Sequence, residues 1–276
     1  SAVKAIEAGD WYATLDQYGR FHTNITRFPG ILRPLLRVND SPLANLDLCN
    51  SQPLHFGLRI LIEGLRRRDK NDGWFNEVLT PARTGSREVR TTSVFNHLYE
   101  YQWIQQMYSC PLLTVRSSLY PDELEFIELC ERGALYQHLR SLCSVDPLIP
   151  HDEFKRRVFA SVFYGRILPN PEPLLLEFAA HFPNVQRLID AMKRPAYQEL
   201  ARAMQRLESW LFIGGVCERI RQEKPDMFMA SIHDSLLVLP EDANYAESVI
   251  QSTYRSVGLR PKIKREFYLV NSELAA

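Results

Sequence analysis

The sequence has little of what marks several common classes. It has only five cysteines, Cys49, Cys110, Cys130, Cys143 and Cys217, and no C-x-x-C pair. An odd, scattered set of this kind suits a reduced compartment and leads us to expect a cytoplasmic protein with no structural zinc site. No apolar run reaches the roughly 18 residues that cross a bilayer, so no membrane partner is expected. The N-terminus SAVKAIEAGDW carries no signal-peptide pattern, and its abrupt start suggests a piece of a longer chain. Net charge is also absent: 33 basic residues balance 33 acidic ones. That argues against a small basic DNA-binding module, though not against an enzyme with a basic cleft and an acidic back. No repeat or low-complexity tract stands out.

What remains is a chain of 276 residues, 45% of them hydrophobic, enough for one large core or two sub-domains. LANLDLCN (43–50) reads as a short strand and PLHFGLRILIEGLRRR (53–68) as a helix with Pro53 in its first turn. Residues 71–92 read as a loop, and 95–193 as mostly helical. Within that stretch, 121–139 is expected to form one helix and 153–165 another that stops at Gly165. In 184–194, Val185, Leu188, Ile189 and Met192 form one stripe. A long helix over 196–222 would bury Leu207, Trp210, Leu211, Gly214 and Cys217 on one face. MFMASIHDSLLVLPED then reads as a β-hairpin with Asp234 at the bend, and REFYLV (265–270) as a last short strand. The order implies an α+β protein, its small sheet built from both ends of the chain around a helical insertion.

Asp234 raises a chemical question, because a carboxylate within an apolar hairpin needs a cationic partner. One Asp holds a hard divalent ion poorly, since magnesium takes about six oxygens. The second candidate ligand is Asp47, at the end of the strand before the 53–68 helix. Lys155, Arg156 and Arg157 form a cationic run on a helix that ends in Tyr164-Gly165. Each residue has an ordinary alternative. Asp47 can cap the following helix, Asp234 can serve its own turn, and the 155–157 run can be a solvated face. Arg20 can be a turn residue, and His55 reads better as a core histidine than as a catalytic one. His233 can simply brace the sheet by a hydrogen bond.

Four stretches, in order, resemble the family A DNA polymerases and the single-subunit RNA polymerases of phages and mitochondria. They are DQYGR (16–20), DLCNSQPLHF (47–56), KRRVFASVFYG (155–165) and IHDS (232–235). GALYQHL (133–139) and Gln205 add smaller echoes. The resemblance implies a right-hand polymerase: a palm of small antiparallel sheet plus helices from 1–100 and 196–276, and helical fingers from 101–195. A thumb and an exonuclease domain are not evident, so a partner protein or a missing segment would supply the thumb. It further implies template-directed addition of nucleotides to a 3′-end with two Mg2+ ions (Mn2+ as a substitute) held by Asp47 and Asp234. Lys155, Arg156, Arg157, Tyr164 and Gln52 would bind the nucleoside triphosphate. Arg20, Gly165, Gln205 and His233 would touch the template–primer duplex. The family's lysine falls eight residues before its tyrosine, which is Arg156 here, with Lys155 one position off. Gln52 stands where the DNA enzymes carry a glutamate against the 2′-hydroxyl and the RNA enzymes a small residue. DNA synthesis is favoured, with RNA or primer synthesis as the alternative, and a viral or mobile-element origin would suit so small a version. Two rivals stand beside this reading. One is a metal phosphohydrolase using His151-Asp152 or His233-Asp234; the other is a non-catalytic nucleic-acid-binding module.

Overall fold

The computed structural model describes residues 2–16, 20–68, 115–143 and 148–268. Gly19, Cys110, the 71–92 stretch, the first part of the expected insertion and the end of the last expected strand lie outside these residues. A short helix α1 (Ala2–Glu7) precedes a hairpin of β1 (Ala13–Leu15) and β2 (Phe21–Thr23). A second small ribbon pairs β3 (Arg37–Val38) with β4 (Ser41–Pro42).

The main sheet has four antiparallel strands in the order β6-β7-β5-β8. These are β5 (Ala44–Leu48), β6 (Met229–Ile232), β7 (Ser235–Val238) and β8 (Ile263–Phe267). The sheet therefore joins an N-terminal strand to three C-terminal ones, as the sequence led us to expect. Period-two alternation sorts its side chains. Ala44, Leu46, Leu48, Leu236 and Val238 face a large helical core, while Leu43, Ile232 and Leu237 form a second cluster with Ile25. By the same alternation Asp47 sits on the face away from the helical core. There it pairs in register with Lys264 of β8 and Ser235 of β7.

Helix α2 (Ser51–Arg68) leaves β5 through Asn50, whose φ of +54° makes the sharp turn. It packs against α3 (Pro121–Glu131) and against α8 (Glu199–Ser209). Between these lie α4 (Leu135–Leu142), α5 (His151–Val158), α6 (Pro173–His181) and α7 (Pro183–Lys193). After α8 come α9 (Glu218–Glu223) and α10 (Ala243–Ser256). Pro begins α3, α6 and α7, where its missing N–H leaves no bond unmade.

Three expectations about helices are refined. The single helix over 121–139 is two, broken at Gly133, which takes φ +68°. A Cβ there would also stand 3.0 Å from the Cys49 Cβ, so the break seats the α3–α4 corner on the end of β5. The 153–165 helix widens to π geometry over Phe159–Phe163, with the Tyr164 N–H donating to the Phe159 carbonyl at 2.7 Å. It does stop at Gly165, because a Cβ there would lie 2.1 Å from the Ala160 carbonyl oxygen. The 196–222 helix likewise widens over Trp210–Cys217. This rotates the buried stripe, so that Phe212 and Val216 enter the core and Gly214 stays half-buried.

Gly133→Ala is expected to lower stability by about 1–2 kcal/mol, the cost of a left-handed L-residue. The check is the midpoint of denaturant unfolding, and an unchanged midpoint would refute the assignment.

Candidate active site

The site grows from one corner of the main sheet. β6 and β7 are joined by the two-residue turn His233-Asp234, and His233 takes φ +56° to make it. Histidine is among the residues that enter this region more readily than most, but the position is still constrained. The Leu48 N–H donates to the Asp234 carbonyl at 3.2 Å, which ties the turn to the end of β5. Asp47 and Asp234, from opposite ends of the chain, thus stand on neighbouring strands at the same end of the sheet.

Their proximity has an electrostatic consequence. Burial, and after it the Asp234 charge, push the Asp47 carboxyl up to about 6, against a pull from Lys155. The donor set is two carboxylates, with Lys155 and the cross-strand Lys264 acting on Asp47. Such hard oxygen ligands fit a magnesium-class ion, which takes its remaining oxygens from other sources.

Of the three clustered cations, Lys155 acts on Asp47 and on Cys49 beside it. Arg157 turns back to an ion pair with Glu153, one helical turn away. All three side chains are exposed. The π segment lies between Lys155 and Tyr164, which are nine residues apart. A π turn holds about one residue more than an α turn. A nine-residue separation through it therefore sweeps nearly the rotation that eight residues sweep in a plain α-helix. Lys193 of α7 braces this segment, its ammonium donating to the Val162 carbonyl at 2.6 Å, and burial pulls its pKa down to about 8.

Behind the acids runs a polar network that gathers most of the remaining candidates around Glu208, on α8 and only 2% exposed. Arg20 donates to Glu208 Oε1 at 3.0 Å. The Gln52 amide donates to Glu208 Oε2, and the Ser51 hydroxyl reaches the same oxygen at 3.4 Å. Tyr164 donates its hydroxyl to Gln52 Oε1 at 3.3 Å and also shares a hydrogen bond with Gln205. Burial, followed by the Asp234 charge, holds the Glu208 carboxyl well above the usual carboxylate range, opposed by Arg20 and Gln52. Burial likewise carries the Tyr164 phenol up to about 12.

Arg20 reaches this position because its loop is closed at both ends. Its backbone N–H donates to Asp16 Oδ1 at 2.9 Å, and the Asp16 N–H donates to the Arg20 carbonyl at 3.0 Å. Asp16 also meets His22 at 3.1 Å, and the His22 ring approaches His233 edge-on. Desolvation, with the Arg20 charge next, lowers the His233 pKa. His55 is buried. Its Nε2 meets the Tyr254 hydroxyl at 2.9 Å and its Nδ1 the Ser51 carbonyl at 2.7 Å, which joins α2 to α10. Burial pulls its pKa down to about 4, so it is a neutral core histidine at pH 7.

Glu208 is the residue that sequence reading missed. The sequence carries little signal for it: Glu208 stands between Leu207 and Ser209, a placing that suits a solvated helix face as well as a buried acid. Neither His151-Asp152 nor His233-Asp234 belongs to a cluster of three metal-ligating side chains among the described residues.

No family model matches the chain, and no curated protein matches it. Among solved structures, the POL domain of Pol1 from M. smegmatis, in complex with DNA primer-template and dNTP, aligns at a TM-score of 0.36 and 13% identity. The alignment covers 96% of this chain and 49% of that one, so the chain spans about half the length of that structure. A score of this size carries nothing about chemistry, which is read from the residues themselves.

Two outcomes follow. The folded pKa of Asp47 lies above its unfolded value, so the metal-free protein loses stability as pH rises from about 3.8 to about 6. Asp47→Asn removes that loss. In chelator it is expected to be more stable than the wild type by about 1–2 kcal/mol above pH 6, allowing for partial solvent screening, and equal to it below pH 4. Thermal melts at several pH values decide this, and a destabilised variant at pH 7 would contradict it. Glu208→Ala leaves Arg20 and Gln52 without their shared acceptor and is expected to cost about 2 kcal/mol or more in denaturant unfolding.

Proposed function

We propose that this chain is a template-directed nucleotidyltransferase that extends a nucleic-acid 3′-end, with Asp47 and Asp234 holding two divalent ions, Mg2+ or in its place Mn2+. The observation that carries the proposal is the meeting of these two acids at one sheet corner, with Lys155 acting on the same spot. When bound, such ions supply charge neutralisation of the phosphates and activation of the attacking hydroxyl. The chain's own residues do the rest.

The acids gather the cations from opposite ends of the polypeptide, so the site exists only in the folded chain. Lys155 offers its ammonium to the triphosphate, whose charge neither acid can balance. Arg156 remains exposed on the same helix as an auxiliary cation. Tyr164 presents its ring at the nascent base pair, fixed in place by Gln52 and Gln205, while Gly165 lets the chain leave the helix beside it. Arg20 and His233 line the approach to the acids on the side of the β1–β2 hairpin, where template or primer backbone would pass.

Gln52 is the residue that meets the sugar. Its amide is spent on Glu208 and its carbonyl on Tyr164. A glutamine carries no carboxylate to set against a 2′-hydroxyl, and with its amide groups already engaged any deoxynucleotide preference would come from bulk alone. Residues 1–100 with 196–276 form the palm and 101–195 the fingers in this reading. A thumb would come from a partner protein or from a segment outside this chain, and extension without it would be distributive.

The test is primer extension on a DNA template, with deoxynucleotides and ribonucleotides supplied separately. Extension with Mg2+ is expected. Asp47→Asn and Asp234→Asn should each abolish it while duplex binding persists. Release of phosphate from a small phosphoester without any extension would instead identify a phosphohydrolase.

A further inference from the structure

Three side chains on the helical insertion that take no part in the roles above converge. Glu125 lies on α3, His138 on α4, and His181 is the last residue of α6. His138 Nε2 stands 3.3 Å from His181 Nε2, and His181 Nε2 stands 3.2 Å from Glu125 Oε1. The third edge of the triangle, His138 Nε2 to Glu125 Oε1, is 3.9 Å. We propose that these three residues form a binding site for a divalent transition ion of the zinc class, separate from the Asp47–Asp234 pair.

The geometry argues for this in three ways. Donors bound to one zinc ion at about 2.0–2.2 Å in tetrahedral array lie about 3.4 Å from one another, close to the observed edges. Hydrogen bonding alone serves the triangle poorly. The single proton on His181 Nε2 can go to His138 or to Glu125, and the remaining acceptor faces a lone pair. A cation at the centre satisfies all three donors. The rings are also positioned in advance: each stands against Phe182, which is wholly buried, at centroid distances of 6.1 and 4.5 Å.

The donor types select the ion. Two imidazoles and one carboxylate favour zinc and its first-row neighbours over magnesium, which seeks oxygen. The side chains are 43%, 30% and 29% exposed for Glu125, His138 and His181, so a fourth position opens to water. The site would tie together α3, α4 and α6, whereas α3 is joined to the start of α7 by Asp122, which accepts from the Asn184 N–H, the Asn184 side-chain amide and the Val185 N–H. Cysteine spacing gave no hint of it, because none of its ligands is a cysteine and they come from three separate helices.

The test is titration of the full chain with Zn2+ against a chromophoric competitor, in excess Mg2+. One tightly held Zn2+ per chain is expected, together with a zinc-dependent rise in melting temperature. Both should persist in the Asp47→Asn/Asp234→Asn double variant. His138→Ala and His181→Ala should weaken binding more than about tenfold, the loss that removing even an outer partner of a metal ligand produces. They should melt as the wild type does in chelator, which shows that they fold. Absence of stoichiometric zinc, zinc uptake indifferent to both histidine changes, or uptake lost with the aspartate pair would each overturn the proposal.

Discussion

Two like charges held together set the terms for this protein. Asp47 is fixed by β5 and Asp234 by the β6–β7 turn, and the strand pairing that joins them leaves neither free to withdraw. The raised pKa of Asp47 reflects burial first and this repulsion second. A chain keeps such a repulsion only where the surroundings over-determine it, and such sites are where function concentrates. Lys155 offsets part of the charge, and bound cations would offset the rest.

The helices carry that constraint outward. Glu208 receives hydrogen bonds from the β1–β2 loop through Arg20 and from the start of α2 through Gln52 and Ser51. Tyr164 adds the end of the insertion helix to the same network. One buried carboxylate thus links α8 to the β1–β2 loop and to the start of α2, and through Gln52 to the end of the insertion helix. The two π segments serve the same end. Phe159–Phe163 sets the rotation of Tyr164 relative to Lys155, and Trp210–Cys217 shifts the hydrophobic stripe so that Phe212 and Val216 enter the core.

Much of the architecture can be read from local pattern. The strand at 44–48, the helix at 51–68, the hairpin around Asp234 and the strand near 265 follow from period-two and period-3.6 hydrophobicity and from turn residues. The break at Gly133 and the π widenings cannot be read that way. The break at Gly133 sets the chain against the Cys49 side chain, more than 80 residues away, and the first π widening is closed by the Tyr164 N–H on the Phe159 carbonyl, a register that hydrophobic periodicity does not encode. Asp47, Asp234, Tyr164 and Gln52 stood out because their motifs are local. Glu208 did not, because its role is defined by partners up to 188 residues away.

Element types, and acids at the ends of strands, follow from the order of residues, since each is an outcome of short-range periodicity and turn chemistry. The strand pairing that sets Asp47 beside Asp234, the cation that acts on Asp47, the buried carboxylate that organises the network and the histidines that meet follow only from the folded chain, because they depend on long-range pairing, helix rotation and packing between segments that share no local pattern.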